Sequence, residues 1–190
     1  MKLKNIISNL KFENIIYSRK NEFQKIRNIR NEKNIRKNMR NKNIILKSEH
    51  LAWMNKLKKS NTNFFYIIKY KEDIIGGLGF YNFNKSSLSG EWSFYVSEKK
   101  IFIGLGASIE IKALEFFFQN FKLDLIYCYV LKHNVDIIKL HVKFGFFKIS
   151  FDEYFKNNPL NRELSNAVYL VLKKSRWENM SKLLYKKYLN

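Results

Sequence analysis

Residues 91–107 read EWSFYVSEKKIFIGLGA. The aromatic run to Val96 has the character of a strand, and the charged SEKK that follows has the character of a turn. Gly104 and Gly106 then precede a long segment, ASIEIKALEFFFQNF, in which Ile109, Ala113, Phe116 and Phe117 fall on one helical face. The order is therefore strand, glycine-containing loop, helix. Glycines carry no Cβ, so backbone N–H groups can approach a ligand closely. The N-terminus of the helix adds unpaired N–H groups and a partial positive charge, which suits a diphosphate. Two common phosphate loops are excluded. No Gly-Lys-Ser/Thr follows, and Ile109 stands where the last glycine of G-x-G-x-x-G would be.

Working outward, Leu125–Leu131 (LIYCYVL) predicts a buried strand, and Asn134–Phe144 predicts a helix closed by Gly145. Further strands are expected around 146–151 and 167–172. Upstream, NFFYIIKY (63–70), IIGGLGFYNF (74–83) and EWSFYV (91–96) read as a three-stranded antiparallel meander with turns at 71–73 and 84–90. Ser48 suits the N-cap of a helix carrying Leu51, Met54 and Leu57, with Trp53 beside them. The basic stretch 18–42 spaces Ile26, Ile29, Ile35 and Met39 as one or two short helices. This alternation predicts an α/β (mixed α+β) chain with helices packed on a mixed sheet, not a bundle or a barrel. No repeat or Gly/Ser/Pro linker divides it. One domain over 1–173 is expected, followed by a basic amphipathic tail helix over 174–190 in which Trp177, Met180 and Leu184 keep helical spacing.

The chain has 190 residues, 46% of them hydrophobic and 16% aromatic, enough for a core and too many for a disordered chain. A single cysteine, Cys128, forms no internal disulfide and fits a reducing compartment. No apolar run approaches the length of a membrane span, and the first residues are too short of apolar character for a secretory signal, so a cytoplasmic location is expected. Cys128, His133 and His141 lack paired ligand spacing, so no metal site is expected. The net charge of +20 favours an anionic partner. The same excess of Lys, accompanied by Asn, Ile, Phe and Tyr, also follows from AT-rich codons.

Two motifs together resemble the GNAT superfamily of acetyl-CoA-dependent N-acetyltransferases. Ile101-x-x-Gly104-x-Gly106-Ala107 is similar to the family's pyrophosphate loop, with Ile101 in place of Arg or Gln. Asn134, His141, Gly145 and Phe146 are similar to its Asn-x-x-Ala-x-x-x-Tyr-x-x-x-Gly-Phe helix, with Ile137 for the small residue and His141 for the tyrosine acid. The resemblance implies a GNAT-like central, mostly antiparallel, splayed sheet. It implies acetyl-CoA held by Phe94, Tyr95 and Val96 on the fourth strand of that fold. Ile103, Gly104, Leu105, Gly106 and Ala107 would hold its diphosphate, with Asn134 and Lys139 beside it. It also implies Glu91, buried against Trp92 and Phe94, or a water relay as the base, and His141 as the acid that protonates the leaving thiolate.

Arg30-Asn31-Glu32, Ile35-Arg36, Met39 and Glu49-His50-Leu51 with Trp53 resemble more narrowly the bacterial GNATs that acetylate the 4-amino group of a UDP-linked amino sugar in pseudaminic acid synthesis. That resemblance implies an anionic nucleotide-sugar acceptor bound by Arg30, Asn31, Arg36, His50 and Trp53. Nucleic acid is not the expected partner, and a homodimer stays open. Two other readings remain at this level: a GNAT acting on protein N-termini, and a non-catalytic basic module that binds nucleic acid or membrane through residues 18–42 and the tail.

Overall fold

A computed structural model describes residues 3–157 and 165–188. Among them, seven strands form one sheet in the order β1-β2-β3-β4-β5-β7-β6. They are β1 (Leu10–Asn14), β2 (Phe64–Tyr70), β3 (Asp73–Asn84), β4 (Ser89–Val96), β5 (Leu125–Leu131), β6 (Phe147–Ile149) and β7 (Ala167–Lys173). The helices are α1 (Leu3–Ser8), α2 (Lys20–Arg30), α3 (Lys33–Arg36), α4 (Lys47–Lys58), α5 (Leu105–Phe121), α6 (Val135–Lys143), α7 (Phe151–Asn157) and α8 (Lys174–Tyr188). Every neighbouring strand pair is antiparallel except β4 and β5.

That exception shapes the molecule. β4 and β5 pair only from Ser89↔Leu125 to Glu91↔Tyr127. Beyond Glu91 the strands part, although β4 stays paired to β3 as far as Val96 and β5 stays paired to β7 as far as Leu131. The sheet is therefore splayed at its middle.

Strand alternation assigns the two faces. On one face Phe80, Trp92, Ile126, Cys128 and Leu170 meet Ile109, Ala113 and Phe117 of α5, with Trp177 and Leu184 of α8 in the same core. On the other, Phe65, Ile67 and Ile74 meet Ile26 and Ile29 of α2 and Met54 and Leu57 of α4. Tyr127, Tyr169 and Val171 meet Tyr154 of α7 farther along that second face. Lys112 Nζ ties α5 to the chain's first turn by donating to the Ile7 carbonyl at 3.0 Å.

Several boundaries differ from the sequence reading. β1 was not expected, and Lys69 on β2 reaches back to pair with its Glu13 at 2.5 Å. The segment expected as a strand over 146–151 stops at Ile149, and α7 begins at Phe151 because Ser150 Oγ accepts from the Glu153 N–H at 3.1 Å. α4 starts at Lys47, not after Ser48. Glu49 reaches back to accept from the Leu46 N–H at 2.6 Å, which sets the helix start two residues earlier. His50 then takes the buried position, and Leu51 faces solvent. Among the described residues no helix is long and apolar enough to cross a membrane.

Candidate active site

The parting of β4 and β5 opens a cavity of about 660 Å³ that reaches both faces of the sheet. Phe94, Tyr95 and Val96 line it, as do Leu105, Gly106 and Asn134. Ile103 lies outside it and is 97% exposed, and Gly104, Ala107 and Lys139 are likewise absent from its wall. The loop before α5 explains this split. Gly104 is the N-cap at φ +89°, a left-handed conformation that glycine adopts without strain. Helix α5 therefore starts at Leu105, earlier than the sequence suggested, and puts Gly106 in its first turn. Gly106 and Ala107 have no carbonyl four residues back within the helix to receive their N–H groups. A Cβ on Gly106 would meet only Leu140 Cδ2, at an ordinary 3.6 Å. The protein's own packing therefore leaves room at Gly106, on the cavity wall, for a ligand's oxygens.

His141 sits on the α5 side of the sheet, 4% exposed, between Trp92 and Phe146, with ring centroids 5.4 and 5.1 Å away. Its Nδ1–H donates to Glu110 Oε1 at 2.8 Å. Glu110 lies on α5 and is wholly buried, and its Oε2 has no partner. The sequence reading missed this residue. The available signal was a carboxylate flanked on both sides by isoleucines, Ile109 and Ile111. Cys128 is also buried there. Burial first, then the negative charges of Glu110 and Glu91, hold its thiol well above the ordinary range, so it stays protonated and is no nucleophile.

Glu91 occupies the opposite face. It was expected at the start of its strand, packed against Trp92 and Phe94. It is instead the third residue of β4, the last one paired to β5, and strand alternation turns Trp92 and Phe94 away from it. Its carboxylate accepts from the Tyr154 hydroxyl of α7 at 2.5 Å. Burial, and then the charge of Glu91, keep the Tyr154 phenol protonated. Glu91 thus marks the apex of the gap, with Tyr81 and Tyr129 sharing its side of the cavity.

The basic stretch resolves into a cavity residue and braces. Arg30 lines the cavity. One end of its guanidinium, Nη2, donates to the Asn41 carbonyl at 2.9 Å, whereas Nη1 is buried with no hydrogen-bond partner. Burial lowers the guanidinium's pKa, and the nearby phenols of Tyr95 and Tyr81 oppose that shift. Asn31 and Arg36, expected to touch the acceptor, hold residues 37–46 instead. Asn31 exchanges two hydrogen bonds with Ile45, at 2.8 and 2.9 Å, and Arg36 donates to the Asn31 and Lys42 carbonyls at 3.0 and 2.8 Å. The braced segment brings Lys37, Asn38, Met39 and Arg40 to the cavity. Asn38 crosses to the β5 side, where its Oδ1 accepts from His133 Nε2–H at 2.9 Å.

His50 and Trp53 do not reach the cavity. They form a stack with Phe23, at 4.0 Å for Phe23–His50 and 5.1 Å for His50–Trp53, that closes on Phe65 in the core. Burial, then the charge of Arg27, lowers the His50 pKa to about 4. His50 is buried and Trp53 half-buried, on the helix face that also carries the buried Met54 and Leu57. Among the described residues no group of three His, Cys, Asp or Glu side chains is placed to hold a metal.

Comparison with known proteins identifies the family. Residues 15–164 match the family of acetyltransferase (GNAT) domains. The chain is 27% identical over 132 residues, 70% of its length and 81% of the relative's, to acetyltransferase PseH of Campylobacter jejuni. The crystal structure of that N-acetyltransferase in complex with acetyl coenzyme A superposes with a TM-score of 0.65 at 21% identity, covering 87% of this chain and 99% of that one. Spermidine N-acetyltransferase from Vibrio cholerae, in complex with CoA and spermine, superposes with a TM-score of 0.73 at 18% identity, covering 90% and 99%. A sheet splayed beside a glycine-started helix, and a family match over most of the chain, lead to one conclusion: this protein belongs to the GNAT acetyltransferases, an enzyme with acetyl-CoA as its acetyl donor.

Proposed function

We propose that the acceptor is the amino group of a nucleotide-linked amino sugar, of the UDP-4-amino-4,6-dideoxy type. The observation that carries this reading is Arg30 Nη1, a buried cationic donor with no protein partner on the cavity wall. A buried charge left unpaired is costly, so the group is suited to an anionic oxygen brought by the ligand. Lys37 and Arg40 stand near it on the same wall. The wall's two carboxylates, Glu91 and Glu98, already accept from Tyr154 and Asn34. The wall carries three cations, Arg30, Lys37 and Arg40, against these two carboxylates, so the charge balance favours a diphosphate-bearing acceptor over spermidine. The relationship to acetyltransferase PseH points the same way.

The two faces divide the chemistry. Acetyl-CoA enters along α5 with its diphosphate at Gly106 and its thioester in the gap between β4 and β5. The open backbone edge of β4 supplies N–H groups for the oxyanion. The amine arrives on the other face and attacks the thioester carbon directly. Glu91, or a water it holds, takes the amine's proton, and His141 on the α5 face gives a proton to the departing sulfur. The test is a panel of UDP-amino-dideoxy sugars, spermidine and free peptide N-termini, each with acetyl-CoA, read by thiol release. A kcat/KM for a UDP-amino sugar at least tenfold above the others is expected. Preferential acetylation of spermidine or a peptide overturns the reading.

A further inference from the structure

We infer that Glu110 is the positioning residue for His141, so that the proton for the leaving thiolate comes from a buried carboxylate–imidazole couple. The inference rests on acetyl transfer with His141 as acid and does not depend on which amine is the acceptor.

Three observations carry it. First, the 2.8 Å bond fixes which ring nitrogen does what. Nδ1–H is held by the carboxylate, so Nε2 is the nitrogen available to the cavity that His141 borders. Second, Glu110 stands among apolar neighbours. Ile109, Ile111, Ala113 and Leu114 are all buried around it on α5, and its Oε2 is unpartnered. A carboxylate in such a place costs stability that an apolar residue would not. The bond to His141 is the interaction that uses it. Third, the ring has no freedom to turn away, because Trp92 and Phe146 flank it. The same order of parts, a buried carboxylate, an oriented imidazole and then the reacting atom, underlies hydrolytic triads.

The step balances. The amine nitrogen forms a bond to the acetyl carbon and gives its proton to Glu91 or the water it holds, the carbon–sulfur bond breaks, and the electron pair leaves on sulfur. Imidazolium Nε2–H passes its proton to that thiolate. The neutral ring keeps its Nδ1–H on Glu110 and regains the Nε2 proton from solvent. Glu110 itself neither gains nor loses a proton.

Two measurements on the full-length protein test this. The first needs no acceptor. The chain has three histidines, so proton–nitrogen correlation spectra of their rings are assignable with the H141F, H50F and H133N variants. Neutral His141 is expected as the Nδ1–H form in the wild type and with altered tautomer balance in E110Q. An Nε2–H form in the wild type, or an unchanged ring in E110Q, overturns the inference.

The second is kinetic, with whichever panel amine turns over fastest. E110Q should lower kcat by roughly 10²–10³-fold while leaving the KM for acetyl-CoA within about twofold. In the H141F background the same change should cost almost nothing further. Equal losses in both backgrounds would show that Glu110 acts independently of His141 and would refute the inference. E110D, which keeps the charge, is expected to recover part of kcat, and it serves as the test variant if E110Q does not fold. No recovery in a folded E110D with an intact Nδ1–H ring signal would count against the couple. Failure of every UDP-amino sugar in the panel would remove the proposed acceptor and leave both of these readouts standing.

Discussion

The two sides of the splayed sheet are built by different means. On the α5 side the site is made of core: His141, Glu110, Trp92 and Phe146 are buried within the main hydrophobic cluster or against it. On the other side it is made of a surface segment, 37–46, held by Arg30, Asn31 and Arg36 through hydrogen bonds to its backbone. The first construction fixes His141 to the precision of close packing. The second holds a wall through main-chain contacts, with Lys37 and Arg40 lining the cavity. On the proposed reading, a donor common to a whole family meets rigid core, and an acceptor particular to this chain meets a braced loop.

The sharpest way to break this contrast is Gly106→Glu. The added side chain has room at its Cβ, so the fold should persist, while its carboxylate enters the place assigned to a diphosphate. Calorimetry should show acetyl-CoA affinity reduced at least a hundredfold, about 2.8 kcal/mol; unchanged binding would refute the loop assignment. Arg30→Ala comes next, on the opposite side. Steady-state kinetics should show the acceptor KM raised roughly 10- to 100-fold, the size of a lost charge-assisted hydrogen bond, and the acetyl-CoA KM nearly unmoved. Equal effects on both KM values would erase the division between sides.

Asn31→Ala removes both bonds to Ile45 and should cost about 1–3 kcal/mol, seen as a fall in Tm, together with a weaker acceptor KM. A fall in Tm without any change at the acceptor would show that the segment holds the fold and not the site. The smallest effect is expected at His50. Its folded pKa of about 4 lies below the ordinary 6.5. Above 6.5 both states are neutral and the residue adds no pH dependence. As the pH falls from 6.5 to 4, only the unfolded chain takes up the proton, so stability declines, and below 4 the loss levels off. H50F should flatten that decline in a thermal melt series. A steeper acid limb in H50F would contradict the stacked, neutral ring.

What could be read in the sequence follows the same line. Gly104 was legible because its left-handed φ leaves a glycine in the text, and so was Gly145, at φ +98° past the end of α6. The strands around the splay were legible from their aromatic and β-branched runs. Helix α7 was missed although Ser150 and Glu153 have the spacing of a capping pair, because its short apolar stretch reads equally well as strand. Glu110 was missed because its partner lies 31 residues away. Arg36 and Asn31 were read as ligand contacts, yet their partners are main-chain groups, and a carbonyl has no letter in a sequence. His50 and Trp53 were read as pocket residues, yet they share the helix face of Met54 and Leu57 and pack with Phe23 and Phe65.

The bracing of residues 37–46 also bears on how such an enzyme diversifies. Its anchors at Asn41, Lys42 and Ile45 grip main-chain atoms, which every amino acid carries. On the proposed reading, substitutions at Lys37 and Arg40 can then redraw the wall that a new substrate meets while the clasp beneath keeps its shape, so a lineage could exchange one acceptor for another without passing through an unfolded ancestor.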